Sequence, residues 1–194
     1  MQSGVILSTG NAVNAVGPNT TLLNDGNNAW TGDSDLEATL AAAGIPMSSA
    51  NATVLEFDFT PISPNFSFDF IFASEEYPEY VNNPNFNDVF GFFLSGPGIA
   101  GPYSNGAVNI ALVPTTTTAT NVVSISNVNG GYAALGCPFV VPAVNPSNQQ
   151  YYVNNCGGTS IQYDGFTTVL TATYPVECGQ TYHIKLAIAN VRFS

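Results

Sequence analysis

The sequence predicts an all-β fold: an antiparallel β-sandwich of jelly-roll type with one short helix near residues 35–43. Three observations carry this expectation. Several segments alternate apolar and polar residues with period two, as half-buried strands do. Gly, Pro and Asn clusters punctuate the chain between those segments. Only one stretch carries matched helix start and stop signals. At 194 residues and 45% apolar content, the chain is long enough to bury a sizeable core, and residues 1–194 are expected to form one sandwich domain.

The elements follow in order. Val5–Thr9 reads as a strand, and residues 10–28, rich in Asn, Gly and Pro, read as loop. Ser34-Asp35-Leu36-Glu37 fits a capping box, with Ser34 at the N-cap and Glu37 three residues on. Leu36–Ala43 then supplies good helix formers, and Gly44 and Pro46 end the run. Val54–Phe59 alternates apolar and acidic residues, as a half-buried strand would. Phe66, Phe68, Phe70 and Phe72 recur at every second position and so share one face, expected to be core. Val89–Leu94 is a nearly continuous apolar run, which predicts a strand covered on both sides. Val108–Val113, Asn121–Ile125, Tyr151–Val153, Thr167–Thr173 and Tyr182–Ala189 complete the set. Thr115–Thr118 reads as a low-complexity loop or edge.

Charge excludes several function classes. Only 8% of residues are charged and the net charge is -11, with Lys185 and Arg192 the two fixed cations. Such a chain has too few cations to neutralise nucleic-acid phosphates or to dwell on an anionic membrane surface. Polarity comes instead from Asn, Thr, Ser and Gln, a composition common among extracellular β proteins. The 13 acidic residues must be solvated, cap backbone N–H groups, or hold metal cations.

Three cysteines are present, Cys137, Cys156 and Cys178, without a CxxC or Cys/His pattern that would suggest zinc. Cys137 and Cys156 flank a Pro/Asn-rich loop, and a disulfide between them is expected. In the chain-entropy model it would contribute about 3 kcal/mol. Cys178 is left over. The sequence shows no signal peptide, transmembrane run or lipidation motif, and a strand is expected almost at once. This reads as a fragment of a larger secreted protein whose export signal has been removed.

The sharpest constellation is acidic. Glu75-Glu76 follows the Phe-rich strand, and Asn87-Asp88 opens the next apolar one. If those strands are neighbours, the oxygens of Glu75, Glu76, Asn87 and Asp88 converge, and Asp164 or Glu79 can join them. Calcium takes roughly 6–8 oxygen ligands, and a divalent ion would relieve the repulsion between adjacent carboxylates. The alternative is that these groups are solvated or bond backbone N–H groups at a turn. A glycosidase pair such as Glu75 with Asp88 needs two carboxyls roughly 5–9 Å apart, and nothing else in the sequence marks a sugar-cleaving cleft. Nucleophilic catalysis would have to use His183, the one His, which lies in an apolar strand and reads as a hydrogen-bonded strand residue. No GxSxG, HExxH or phosphate-binding loop occurs. Tyr77 stands beside Pro78, and Tyr80 and Tyr163 lie two residues from Asn82 and Gly165; all three are candidate ligand-contact residues, since exposed Tyr stacks on sugars.

Several segments resemble one family. They are Ser3–Gly10 (SGVILSTG), Ala73–Tyr80 (ASEEYPEY), Phe86–Gly98 (FNDVFGFFLSGPG), Asn109–Val113, Tyr163–Ala172 and Tyr182–Ala189. Together they resemble the choice-of-anchor L family of bacterial surface domains, and the match runs through nearly the whole chain. The resemblance implies export and display at the cell surface or secretion, with no defined reaction. Family members also carry more chain before SGVILSTG and a further strand after the last segment. A missing edge strand would leave an unpaired sheet edge.

The expected function is therefore a non-catalytic extracellular module for adhesion, glycan contact or assembly, with calcium as a structural ion and a glycan or surface protein as partner. A self-associating filament or matrix subunit that pairs through sheet edges is the alternative. A glycoside hydrolase built on the acidic cluster ranks last.

Overall fold

A computed structural model describes residues 3–20, 30–83, 86–114, 121–131 and 146–192. It contains α1 (Ser34–Ala42), β1 (Ser48–Phe59), β2 (Asn65–Phe70), β3 (Ala73–Ser74), β4 (Val89–Ser95), β5 (Val108–Asn109), β6 (Tyr152–Asn154), β7 (Gly165–Thr167), β8 (Leu170–Pro175) and β9 (Tyr182–Arg192). The strands form a four-stranded sheet in the order β1-β9-β4-β5, a β2-β8 pair, and a three-stranded sheet β3-β7-β6. Every strand pairing is antiparallel.

The continuous apolar run of β4 is explained by its surroundings, because all seven of its residues are buried. Phe90, Phe92 and Leu94 point to one side and join Phe70, Leu170, Ala172 and Ile184. Val89 and Phe93 point to the other and meet Leu36 and Leu40 of α1. The sheet is thus covered by the β2-β8 pair on one face and by the helix on the other. The Phe stripe of β2 supplies the first contact. Phe68 and Phe70 each place their ring centroids 4.9 Å from that of Phe92, and Phe72 stacks on Phe90 at 5.0 Å. Burying such a ring contributes about 1.5–3 kcal/mol, and the aromatic pairing adds to it. Gly91 is required on the helix face, since a Cβ there would stand 2.5 Å from the Phe93 ring.

The helix starts one residue earlier than the capping box predicts. Asp33 is the N-cap, and its Oδ1 accepts from the N–H groups of Asp35 and Leu36 at 3.0 and 3.1 Å. Glu37 reaches across to β1 instead of back, accepting from Ser49 N–H at 2.9 Å. An ionised Asp at the cap also complements the helix dipole, which a Ser does not.

Other expectations shift for local reasons. Residues 4–8 form no strand, and Val5 is 81% exposed. The segment is tied to β1 by a side-chain bond, Thr53 Oγ1 donating to Ser8 O at 2.6 Å. The strand expected at Val108–Val113 stops at Asn109. There Asn109 Oδ1 accepts from Phe92 and Ala111 N–H and takes the place of ladder bonds. Asn121–Ile125 contributes only isolated bridges at Val122 and Ser124. The run Thr167–Thr173 is divided between β7 and β8. Cys137 and Thr115–Thr118 lie outside the described residues, so the expected Cys137–Cys156 bridge is not part of this description. Cys178 carries a free, exposed thiol. Among the described residues, no helix is long and apolar enough to cross a membrane.

Candidate functional site: a buried acidic cluster

Strand register builds the site. Ser74 at the end of β3 pairs with Gly165 at the start of β7. Glu75 therefore leaves one strand beside the point where Asp164 enters the other. The chain then turns through residues 75–82, and Glu79 returns to the same region. Gly165 permits the close packing, because a Cβ there would lie 2.8 Å from both the Tyr152 ring and Tyr77 Cβ. The Tyr77 and Tyr152 rings stand 5.0 Å apart, and the Tyr77 hydroxyl donates to Val128 O at 2.6 Å.

The electrostatics of this corner are unusual. Burial, then the negative charges of Asp164 and Glu79, push the Glu75 carboxyl up to about 8. The Gln162 amide works the other way without reaching hydrogen-bonding geometry with either Glu75 oxygen. Burial, with a contribution from Asp164, raises Glu79 to about 7. Burial also raises Asp164, opposed by the Asn19 amide that donates to its Oδ1 at 2.8 Å. Tyr152 is pushed up to about 12 by burial and by the charges of Asp164 and Glu79. These mutual effects place Glu75, Glu79, Asp164 and Tyr152 in one neighbourhood.

The polar accounting points the same way. Both Glu75 oxygens, Glu79 Oε2, Asp164 Oδ2, Asn87 Oδ1 and the Tyr152 hydroxyl are enclosed and lack a hydrogen-bond partner among the described residues. Asn87 and Asp164 are 2% and 5% exposed, so water does not readily compensate them. Four of these six oxygens belong to Glu75, Glu79 and Asp164, whose charges act on one another and on Tyr152, and carboxylate and other oxygens are the ligands a hard cation takes. Among the described residues, no group of three His, Cys, Asp or Glu side chains is arranged to hold a metal ion as it stands. Closing the cluster on an ion therefore requires side-chain movement.

The structure divides the residues singled out from sequence. Glu75 and Asp164 are brought together, with Glu79 beside them. Asn87 presents a buried oxygen with no hydrogen-bond partner among the described residues. Glu76 and Asp88 are engaged elsewhere: Asp88 N–H donates to Glu76 Oε2 at 3.1 Å, and Ser74 Oγ donates to Asp88 Oδ2 at 2.9 Å. These bonds staple the turn after β3 to the start of β4. Tyr77 is fully buried and offers no face to a ligand. Tyr80 is half-buried with its ring 4.5 Å from that of Phe86, and Tyr163 is half-buried beside Ser8. His183 bonds Asp58 at 2.8 Å on the exposed side of the sheet, as expected of a strand histidine. Sequence reasoning did not place Tyr152, Gln162 or Asn19 at the acidic cluster. Asn19 lies 145 residues from its partner Asp164, and no local spacing announces such a contact.

No curated protein and no solved structure matches the chain. One family model does, and it spans residues 1–194, the whole length. Domains of this type are associated with bacterial surface or secreted proteins. The chain belongs to the Choice-of-anchor L domain family.

Proposed function

We propose that the chain is a non-catalytic extracellular surface module, a sandwich of jelly-roll type, serving adhesion, glycan contact or assembly and stabilised by calcium at the acidic cluster. The observation that carries the calcium reading is the set of six enclosed oxygens from Glu75, Glu79, Asp164, Asn87 and Tyr152 that have no hydrogen-bond partner among the described residues. Glu75, Glu79 and Asp164 supply the negative charge, and the amide and hydroxyl oxygens complete a hard donor set. Bound there, a divalent ion would offset the burial of these carboxyls, and the repulsion that adds to it at Glu75 and Glu79, and would tie the end of β3 to the start of β7. Membership of a family not known for enzymes supports the non-catalytic reading. Tyr80 and Tyr163 are the aromatic residues near this corner that remain partly open to a glycan.

The test is thermal unfolding with calcium and with excess EDTA, on the wild type and on Asp164→Asn. At 100-fold over its Kd, a ligand of the folded state contributes about 2.7 kcal/mol. The reading expects a calcium-dependent rise in the wild type that the variant lacks. Turnover of a polysaccharide that disappears in Glu75→Gln would replace it with a hydrolase.

A second reading, self-association, is favoured by β1. It is the edge strand of the four-stranded sheet, and it exposes Val54, Leu55 and Phe57 by 43%, 38% and 44%. Trp30 and Thr31 pair with this edge at Asn51 and Ala52; from Val54 onward no further strand pairs with it among the described residues, and an edge carrying apolar side chains invites strand addition. Light scattering across a wide concentration range, on the wild type and Phe57→Asp, separates this from a monomeric module.

A further inference from the structure

The chain has a single lysine, and it does not face solvent. Lys185 lies on β9, on the face covered by α1, with its side chain 14% exposed. Its Nζ donates to both Asp33 oxygens at 3.0 and 2.8 Å, and to Asp35 Oδ2 at 2.5 Å. The two carboxylate side chains are 13% and 6% exposed. The Phe93 ring centroid stands 5.1 Å from Nζ, and Tyr103 packs against Phe93 at 4.8 Å. One ammonium therefore faces two carboxylates inside an aromatic, largely dry enclosure, where electrostatic effects are strong.

The Asp35 carboxyl is held in a manner that a simple ion pair does not require. Its Oδ1 accepts two bonds, from the backbone N–H and from the hydroxyl of Ser104, both at 2.8 Å. Its Oδ2 faces Lys185. Two donors on one oxygen polarise the carbonyl and stand where negative charge would collect if a nucleophile added at Cγ. The nitrogen is already in contact with that same carboxyl, so no encounter is needed. Asp33, with both oxygens on Nζ, is positioned to carry protons.

We propose that Lys185 and Asp35 condense into an intramolecular isopeptide bond, with Asp33 as the proton carrier. Asp33 takes one proton from the ammonium and passes it to Asp35 Oδ2, leaving a neutral amine and a neutral acid. The nitrogen lone pair adds to Asp35 Cγ, and the C=O electron pair moves onto Oδ1, held by the Ser104 donors. Asp33 removes a second proton from nitrogen and delivers it to the Oδ2 hydroxyl. The C=Oδ1 bond re-forms and the Cγ–Oδ2 bond breaks, releasing water. Ammonium and carboxylate become an amide and one water, Asp33 ends as it began, and no oxidant or cofactor is consumed.

Burial raises the Asp35 carboxyl and lowers the Lys185 amine, which favours the neutral reactants. The bonds within the group outweigh burial and keep the resting pair charged. The condensation is therefore a single slow event after folding. Its product clips α1 covalently to β9, the strand that pairs with both β1 and β4. Such a tie suits a domain exposed to proteases or to pulling.

Intact mass under denaturing, reducing conditions tests the proposal, after the folded chain has been held at neutral pH. The wild type is expected one water lighter than its sequence, with a branched peptide joining the Asp35 and Lys185 segments. Lys185→Met and Asp33→Asn are expected at full sequence mass. A wild type at full mass overturns the proposal and leaves an ordinary buried ion pair, as does a water loss mapped to any other site. Because the wild-type mass decides the matter, the outcome does not depend on whether a variant folds. It is also independent of whether calcium binds the acidic cluster.

Discussion

Replacing Glu75 with Gln removes a charge that the fold itself disfavours. Burial and the neighbouring Asp164 and Glu79 hold this carboxyl at about 8, against an ordinary value of 4.5. The folded state thus keeps a proton that the unfolded chain gives up. Between those two values, stability of the cation-free protein must fall as pH rises, because the folded state binds more protons. At about 1.4 kcal/mol per pK unit, the shift corresponds to at most about 5 kcal/mol. Both Glu75 oxygens are enclosed but the residue as a whole is half-buried, and solvent screening reduces the expected effect to about 1–3 kcal/mol. Urea denaturation in EDTA measures it. Near pH 5 the wild type and Glu75→Gln should be similar. Near pH 9 the variant should be more stable by about 1–3 kcal/mol, equivalent to roughly 2–4 °C in Tm per kcal/mol. A wild type whose stability does not change over this range would refute the reasoning, as would a variant that is the weaker protein at both pH values.

Three further outcomes follow from the packing and the thiols. Phe93→Ala, which empties the contact between β4 and α1, is expected to cost about 3–5 kcal/mol in a denaturation experiment. Tyr77→Phe leaves the buried Val128 carbonyl without its 2.6 Å donor and is expected to cost about 1–3 kcal/mol. Alkylation of the unreduced native protein should label Cys178 alone, with Cys137 and Cys156 protected until reduction; labelling at all three in the unreduced protein would remove the expected bridge.

Much of the architecture was legible because burial writes itself into periodicity. The Phe stripe of β2 and the two-sided apolar run of β4 both reported their environments correctly. Local competition was less visible. Asp33 displaced Ser34 as the helix cap, and Asn109 replaced ladder bonds with side-chain bonds, because each outcome depends on partners far away in sequence. The membership of the acidic cluster was legible only in part: Glu75, Asp164 and Glu79 were among the residues singled out, and so were Glu76 and Asp88. Glu75 and Asp164 meet only because Ser74 pairs with Gly165, a register set by the whole sheet. Glu76 and Asp88 looked equivalent to their neighbours in sequence, yet their oxygens are engaged by Ser74 and a backbone N–H. The burial of Tyr77 could not be anticipated from its place beside Pro78, since it follows from the missing side chain at Gly165.

The most direct test of the cation reading is a calorimetric calcium titration of the wild type and Asp164→Asn, at about pH 9 and about pH 6. Protons compete for Glu75 and Glu79, whose carboxyls stand at about 8 and about 7. The account predicts saturable binding of one ion at the higher pH, weaker binding at the lower, and none in the variant. No calcium heat in the wild type at either pH, or equal binding by Asp164→Asn, would contradict it.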